Sequence, residues 1–264
     1  MKRSLCCLAI SAALIASAGR FATAQDVKPM PVPSLDWIIA TRPVPGTLAI
    51  AAPAPHHQAP PSSCQPCLFY GGDINPGSPE VNGFGNENTL LVQDTTLYAP
   101  FTVPGGQRWR ISGLFTNNLA DPYEGIDPRQ ATWSISMGMS SGNAGTVVAS
   151  GTATASFTAT GRNAFGFNEY TVGVAFATPA VVLRPGTYWL SVVPQCTNSG
   201  NSNCYGAQYF VSNTGGLNSY GPQEPTAKSF WNSAYFGYTY ANACAVNTDG
   251  CEKFSAGVEG TVEH

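Results

Sequence analysis

An all-β domain follows from three features of this chain. From Cys67 to Val262, short runs rich in Val, Thr, Ile, Phe, Tyr and Trp alternate with Gly, Asn and Pro turns, the pattern of strands and their connections. No stretch holds an apolar period of 3.6 residues, so no long helix is expected beyond the first 24 residues. Charged residues make up 10% of the chain, against ~25% in an ordinary globular domain, and Gly, Ser, Thr and Asn fill the gap. Together these predict one antiparallel β-sandwich, jelly-roll-like, over residues 64–264, a size that all-β domains reach as a single unit.

What precedes that domain is read first. Lys2 and Arg3 open an apolar stretch from Leu5 to Ala18, and Ala22, Thr23 and Ala24 precede Gln25. A basic start, a short apolar middle and an A-x-A site are the parts of a secretory signal peptide, so residues 1–24 are expected to leave the chain on export. Their removal takes three of 12 basic residues and none of 15 acidic ones, moving the net charge from −3 to −6. An acidic surface is unsuited to nucleic acid or anionic membrane. No later apolar run reaches the ~18 residues of a membrane span, and the last residues carry no hydrophobic anchor. The expected product is secreted or periplasmic. Residues 25–63 hold nine prolines among many alanines, which fix φ and remove donors, so a disordered leader is expected there.

The strands are expected at Thr89–Val92, Thr96–Val103, Gln107–Phe115, Thr132–Met139, Thr146–Thr160, Asn168–Phe176, Val181–Leu183, Gly186–Val193, Ala207–Ser212, Ser229–Tyr240 and Lys253–Val262. The alternation is cleanest where Trp109, Ile111 and Gly113 share one face, and again at Trp133, Ile135 and Met137. Pro104, Gly105 and Gly106 mark a turn, as do Arg184, Pro185 and Gly186. The segments LYAPFTVPGGQRWRISGLFTNN (Leu97–Asn118) and LRPGTYWLSVV (Leu183–Val193) resemble a group of exported bacterial β-sandwich proteins that often carry a C-terminal PEP-CTERM-type sorting anchor. The resemblance implies the fold and export, covers the middle half of the domain, and transfers no active site. The anchored tail of that group is not expected here.

Two cysteines leave with the signal. The remaining six fall in sequence-local couples, so in an exported chain the pairs Cys64–Cys67, Cys196–Cys204 and Cys244–Cys251 are expected. The C-x-x-C at Cys64 follows a proline pair rather than a βαβ unit, which favours a structural bridge over a redox couple. Histidine placement argues against a Ser-His-Asp triad or a His-based zinc site. His56 and His57 lie in the leader and His264 is the last residue, away from any rigid shell. No catalytic residue is assigned.

Oxygen-rich loops suit a hard cation. Asp121, Glu124 and Asp127 fall within seven residues and are the candidate ligands of a structural calcium; Asp73, Asn75, Glu80, Asn82, Asn86, Glu87 and Asn88 form a second such stretch. The best functional signal is aromatic. Between Tyr205 and Tyr240, ten Tyr, Phe and Trp residues mix with Asn, Ser and Gly. Flat rings stack on sugar faces while amides and hydroxyls bond the rims. If Ser229–Tyr240 is one strand, Phe230, Phe236, Tyr238 and Tyr240 face the core. Trp231 and Tyr235 then face out, and Tyr220 joins them from the preceding loop. The reading is a non-catalytic exported module that binds a polysaccharide or another cell-surface component. The alternatives are a structural envelope or matrix protein, and a polysaccharide hydrolase working with two carboxylates drawn from Asp94, Glu169, Glu224 and Glu259.

Overall fold

In the computed structural model, the described residues are 64–74, 83–90, 92–120, 126–176, 181–196, 202–204, 209–212, 214, 216–223, 227–246 and 253–263. The expected signal peptide and leader lie outside them, as do the three histidines. The all-β expectation holds. In chain order the strands are β1 (Cys67–Tyr70), β2 (Gly83–Gly85), β3 (Asn88–Thr89), β4 (Thr95–Val103), β5 (Arg108–Ala120), β6 (Asp127–Pro128), β7 (Gln130–Met137), β8 (Thr146–Ala164), β9 (Phe167–Ala175), β10 (Val181–Leu183), β11 (Gly186–Cys196), β12 (Ser202–Asn203), β13 (Tyr209–Ser212), β14 (Phe230–Ser233), β15 (Tyr238–Asn242) and β16 (Ala256–Glu263). One helical turn, α1 (Ala243–Val246), follows β15. Among the described residues no helix is long and apolar enough to cross a membrane.

Ten strands form one hydrogen-bonded path in the order β1-β16-β5-β9-β8-β7-β11-β4-β14-β15. β10 and β13 also pair with β5, β2 pairs with β13, and β3 lies parallel to β11, whereas the other pairs are antiparallel. β6 and β12 form a separate two-residue ladder. β8 is the longest strand and is shared. Its residues 146–154 pair with β7, and its residues 155–164 pair with β9. It divides the path into two wings, β1-β16-β5-β9 and β7-β11-β4-β14-β15.

The wings meet over one core. Trp109, Ile111, Leu114, Val172, Val174 and Val258 come from one wing, and Leu97, Phe101, Ile135, Leu190, Val192 and Trp231 from the other. Each such side chain, once fully buried, contributes roughly 1.5–3 kcal/mol. Polar bonds also cross the core: Thr116 Oγ1 donates to the Val192 carbonyl at 2.9 Å, and Asn86 Nδ2 reaches the same carbonyl at 2.8 Å. Alternation explains the main elements. Trp109 and Ile111 are buried while Arg108, Arg110 and Ser112 between them are exposed. The Pro104 turn closes through Gln107 N to the Pro104 carbonyl at 3.2 Å, with Gly106 at φ 79°.

The disulfides Cys64–Cys67 and Cys196–Cys204 are present as expected. Cys244 is also disulfide-bonded, and its expected partner Cys251 lies outside the described residues. Three expectations need correction. Thr89–Val92 is not one strand: β3 ends at Thr89, whose N bonds the Val92 carbonyl while Val92 N returns to Thr89 Oγ1. Met137 is exposed, since the core ends at Ile135. Ser229–Tyr240 is a hairpin rather than one strand: β14 turns back at residues 234–237, with Gly237 at φ 75°, and Ser233 faces Tyr238.

Candidate functional site

The turn at Gly237 resets the alternation that assigned the aromatic faces. Trp231 lies opposite Leu97 of β4 and is 2% exposed. Its indole Nε1 donates to the Gly85 carbonyl at 2.8 Å, and its ring packs edge-on against Phe84 and tilted against Phe236 and Tyr238. A ring held this way belongs to the core, so Trp231 is corrected from ligand platform to structural anchor. Tyr235 fits its expectation: it sits in the hairpin turn, 44% exposed, with its ring edge-on to Phe236. Tyr220 is half-buried. Its backbone bridges Tyr70, and its ring packs with Phe115 and the Cys64–Cys67 bridge. These three residues therefore do not form one platform.

The hairpin instead brings a different pair outward. Tyr240 and Tyr98 of β4 are half-buried, with ring centroids 5.8 Å apart. Burial, and then the neighbouring Tyr240 hydroxyl, push the Tyr98 hydroxyl above the ordinary phenol range, so it stays protonated. Met139, Trp189 and Phe230 support the pair from beneath. Tyr240 holds φ 42°, an uncommon value for a bulky side chain, and its amide bonds Asn232 Oδ1 at 3.3 Å. Asn242, opposite Phe230, and Asn232, opposite Thr96, add amides to the same face.

That face continues across the wing without a charge. Register places Thr154, Gln130 and Gln195 in one outward row, Thr152, Thr132 and Val193 in the next, and Ser150, Ser134 and Ser191 in a third. Beyond them come Val147, Ser136, Trp189 and Pro100. The rows are cross-linked: Ser134 and Ser191 hydroxyls meet at 2.8 Å, and Gln195 Nε2 donates to Thr132 Oγ1 at 2.9 Å. Exposure grows along each row, from buried positions on β11 to Ser150, Thr152 and Thr154 on β8, which are exposed. Strand spacing sets this grid at about 4.8 Å across and about 6.7 Å along the strands.

The carboxylates behave differently. Glu169, on β9, is fully buried; its Oε2 accepts from Arg162 Nε at 2.6 Å and from Thr160 Oγ1 at 2.8 Å. Arg162 Nη1 reaches Asp73 at 2.9 Å. Asp73 in turn accepts from the Tyr70 hydroxyl at 2.6 Å and from Asn218 Nδ2 at 2.8 Å. Asn117 links Tyr70, Ser255 and Thr171 to the same network. Burial pushes the Glu169 carboxyl above its ordinary value, with Arg162 pulling against it. Burial likewise raises the Tyr70 hydroxyl. One guanidinium thus bridges two carboxylates, an arrangement that braces three chain segments. Sequence reasoning found Glu169 and Asp73 separately, as a catalytic candidate and as part of an oxygen-rich stretch. It missed Arg162, which carries no motif.

Of the other candidate acids, Glu259 is half-buried and accepts from Gln65 N at 3.2 Å; burial raises its carboxyl and that bond lowers it. Asp94 is exposed, at φ 51°, in the turn before β4. Glu224 lies outside the described residues. So do Asp121 and Glu124, two of the expected calcium ligands; Asp127 is exposed on β6, paired with Asn203. Among the described residues no group of three His, Cys, Asp or Glu gathers as for a metal. No family model matches this chain, and no characterised protein matches it in sequence.

Proposed function

We propose that the chain is an exported, non-catalytic β-sandwich module that binds a neutral polysaccharide through the outward face of β8, β7, β4, β14 and β15. The observation that carries this reading is the uncharged grid of hydroxyls and amides leading to the half-exposed Tyr98–Tyr240 pair. Neutral sugar polymers offer hydroxyl rims and apolar ring faces, and this surface offers partners for both. Tyr240, Tyr98 and the exposed Tyr235 take the stacking role first assigned to Trp231 and Tyr220. A calcium ion held by Asp121, Glu124 and Asp127 remains part of the proposal, as a brace for the segment before β6.

The hydrolase reading has less behind it. Glu169 is fully buried and shares Arg162 with Asp73, so it stands in a brace and not opposite a free carboxylate across a cleft. The test is retention of the oxidised protein on a panel of insoluble and soluble polysaccharides, read together with reducing-sugar release. Retention without sugar release, lost in a Tyr235→Ala/Tyr240→Ala variant, is the expected result. Retention that the double variant leaves unchanged removes the assignment, and sugar release moves the enzyme reading ahead.

A further inference from the structure

Cys64 and Cys67 are bridged to each other, yet their settings differ. Cys64 is fully buried against Tyr70 and Phe115, whereas Cys67 is half-buried at the start of β1, and Gln65 and Pro66 between them are exposed. From Leu68 onward the outer side of β1 is covered: Tyr70 bridges Tyr220, and a Cβ on Gly221 would lie 2.2 Å from the Leu68 carbonyl. Cys67 lies ahead of that cover, so the bridge is approached from its Cys67 end. The loop is also held without the bridge. Gln65 N donates to Glu259 Oε1 at 3.2 Å, Gly260 N donates to the Pro66 carbonyl at 2.9 Å, and Cys67 lies opposite Glu259 in the β1–β16 ladder. With a sequence separation of 3, the bridge closes a short loop and constrains the unfolded chain little. Opening it therefore leaves the loop in place and costs the fold little. Acceptors for free thiols are already there: Cys64 Sγ lies 3.7 Å from the carbonyls of Phe69 and Val258, and Cys67 Sγ lies 3.6 Å from that of Phe69. A bridged sulfur has no hydrogen to donate, and reduction supplies one. The other fully described bridge is the contrast, since Cys196 and Cys204 are both fully buried.

We propose that Cys64–Cys67 is a thiol–disulfide exchange site that takes two electrons from a dithiol, with Cys67 as the sulfur attacked. A thioredoxin-type C-x-x-C lowers one thiol's pKa at a helix N-terminus. Among the described residues no helix adjoins β1, so the couple works in its bridged form, as the electrophile. A substrate thiolate attacks Cys67 Sγ. The Cys64–Cys67 S–S bond breaks as a mixed disulfide forms on Cys67, and Cys64 leaves as a thiolate that takes a proton from water. The substrate's second thiol gives its proton to water and attacks the substrate's own sulfur in that mixed disulfide. Cys67 is released and protonated, the dithiol is oxidised to a disulfide, and both cysteines are reduced. A small-molecule disulfide restores the bridge by the same exchange and is itself reduced to two thiols. This site is independent of the polysaccharide reading and is tested with no polysaccharide present.

The experiment is graded reduction of the oxidised chain with dithiothreitol, quenched by alkylation and mapped by mass spectrometry. Cys64 and Cys67 are expected to be alkylated together while Cys196 and Cys204 stay bridged and the far-UV circular dichroism is unchanged. Cys67 left free by Cys64→Ser should take up glutathione from its disulfide about tenfold faster, or more, than Cys64 left free by Cys67→Ser. Catalytic amounts of the chain should speed the oxidation of a reduced two-cysteine peptide by oxidised glutathione, and Cys64→Ala/Cys67→Ala should abolish that effect. A Cys64–Cys67 bridge that stays closed until Cys196–Cys204 opens overturns the inference. Equal or reversed rates in the two serine variants overturn it too, as does a peptide oxidation that the chain leaves unchanged or that the double variant still speeds. The graded reduction and the peptide oxidation use the unaltered chain, so they decide even where a variant fails to fold.

Discussion

The outward side of β5, β16 and β9 carries Arg108, Arg110, Glu259, Glu263 and Glu169, whereas the outward side of β7, β11 and β4 carries no charged residue. Both wings line the same core and share β8, so the contrast lies in what each does with its other face. On the charged wing the polar groups are spent on one another. Arg162, Glu169, Asp73, Tyr70, Asn117 and Ser255 tie the segment after β1 to β8, β9 and the residues before β16. On the neutral wing the Ser134 and Ser191 hydroxyls bond sideways between strands, and the row reaches solvent on β8. Charge holds the fold on one side; its absence keeps the other side open to contact.

The sharpest way to break this comparison is Arg162→Ala. It strands a fully buried carboxylate, and we expect a loss of about 3–5 kcal/mol in denaturant unfolding. A loss under about 1 kcal/mol would mean the network is ornamental and the wings differ only in surface. The neutral wing has a covalent counterpart in Cys196–Cys204, at the end of β11, with a sequence separation of 8. Replacing both cysteines by Ala is expected to cost about 2–3 kcal/mol by chain-entropy reasoning, measured the same way. Thr152→Lys and Thr132→Lys probe the open face itself. Both should keep stability within about 0.5 kcal/mol while reducing polysaccharide retention; unfolding instead would show that the face is packed and not free.

The smallest expected effect is a pH dependence. Burial raises the Glu259 carboxyl, so the folded chain holds that proton more tightly than the unfolded one does. Its ionisation therefore weakens the fold as pH rises from about 4.3 through the raised value. Glu259→Gln should be the more stable protein near neutral pH and gain nothing in acid, as read from melting temperatures at both. A gain that persists in acid would point to packing rather than charge.

How much of this was legible beforehand depends on how local each signal is. β10 runs over Val181–Leu183 as the alternation and its flanking turn predict, and the two described disulfides join near neighbours in sequence. The β14–β15 hairpin was hidden because its turn holds one Gly inside an aromatic run, and that single reversal moved Trp231 from surface to core. The partner of β1 was hidden as well, since its pairing to β16 lies far away in sequence. The Arg162 brace was not legible as a unit, because its members come from separate segments: Glu169 and Asp73 stood out singly, for other reasons, and Arg162 not at all.

β16 lies between β1 and β5, so a strand made late fills a slot whose walls are made much earlier. Asn117 and Ser255, which meet across this region, are 138 residues apart. Closing so long a loop is slow compared with pairing β7, β8 and β9, which are neighbours in sequence. A growing chain therefore carries an unfilled gap between two strands until β16 is made. A chaperone that shields that gap would act after β7, β8 and β9 have paired.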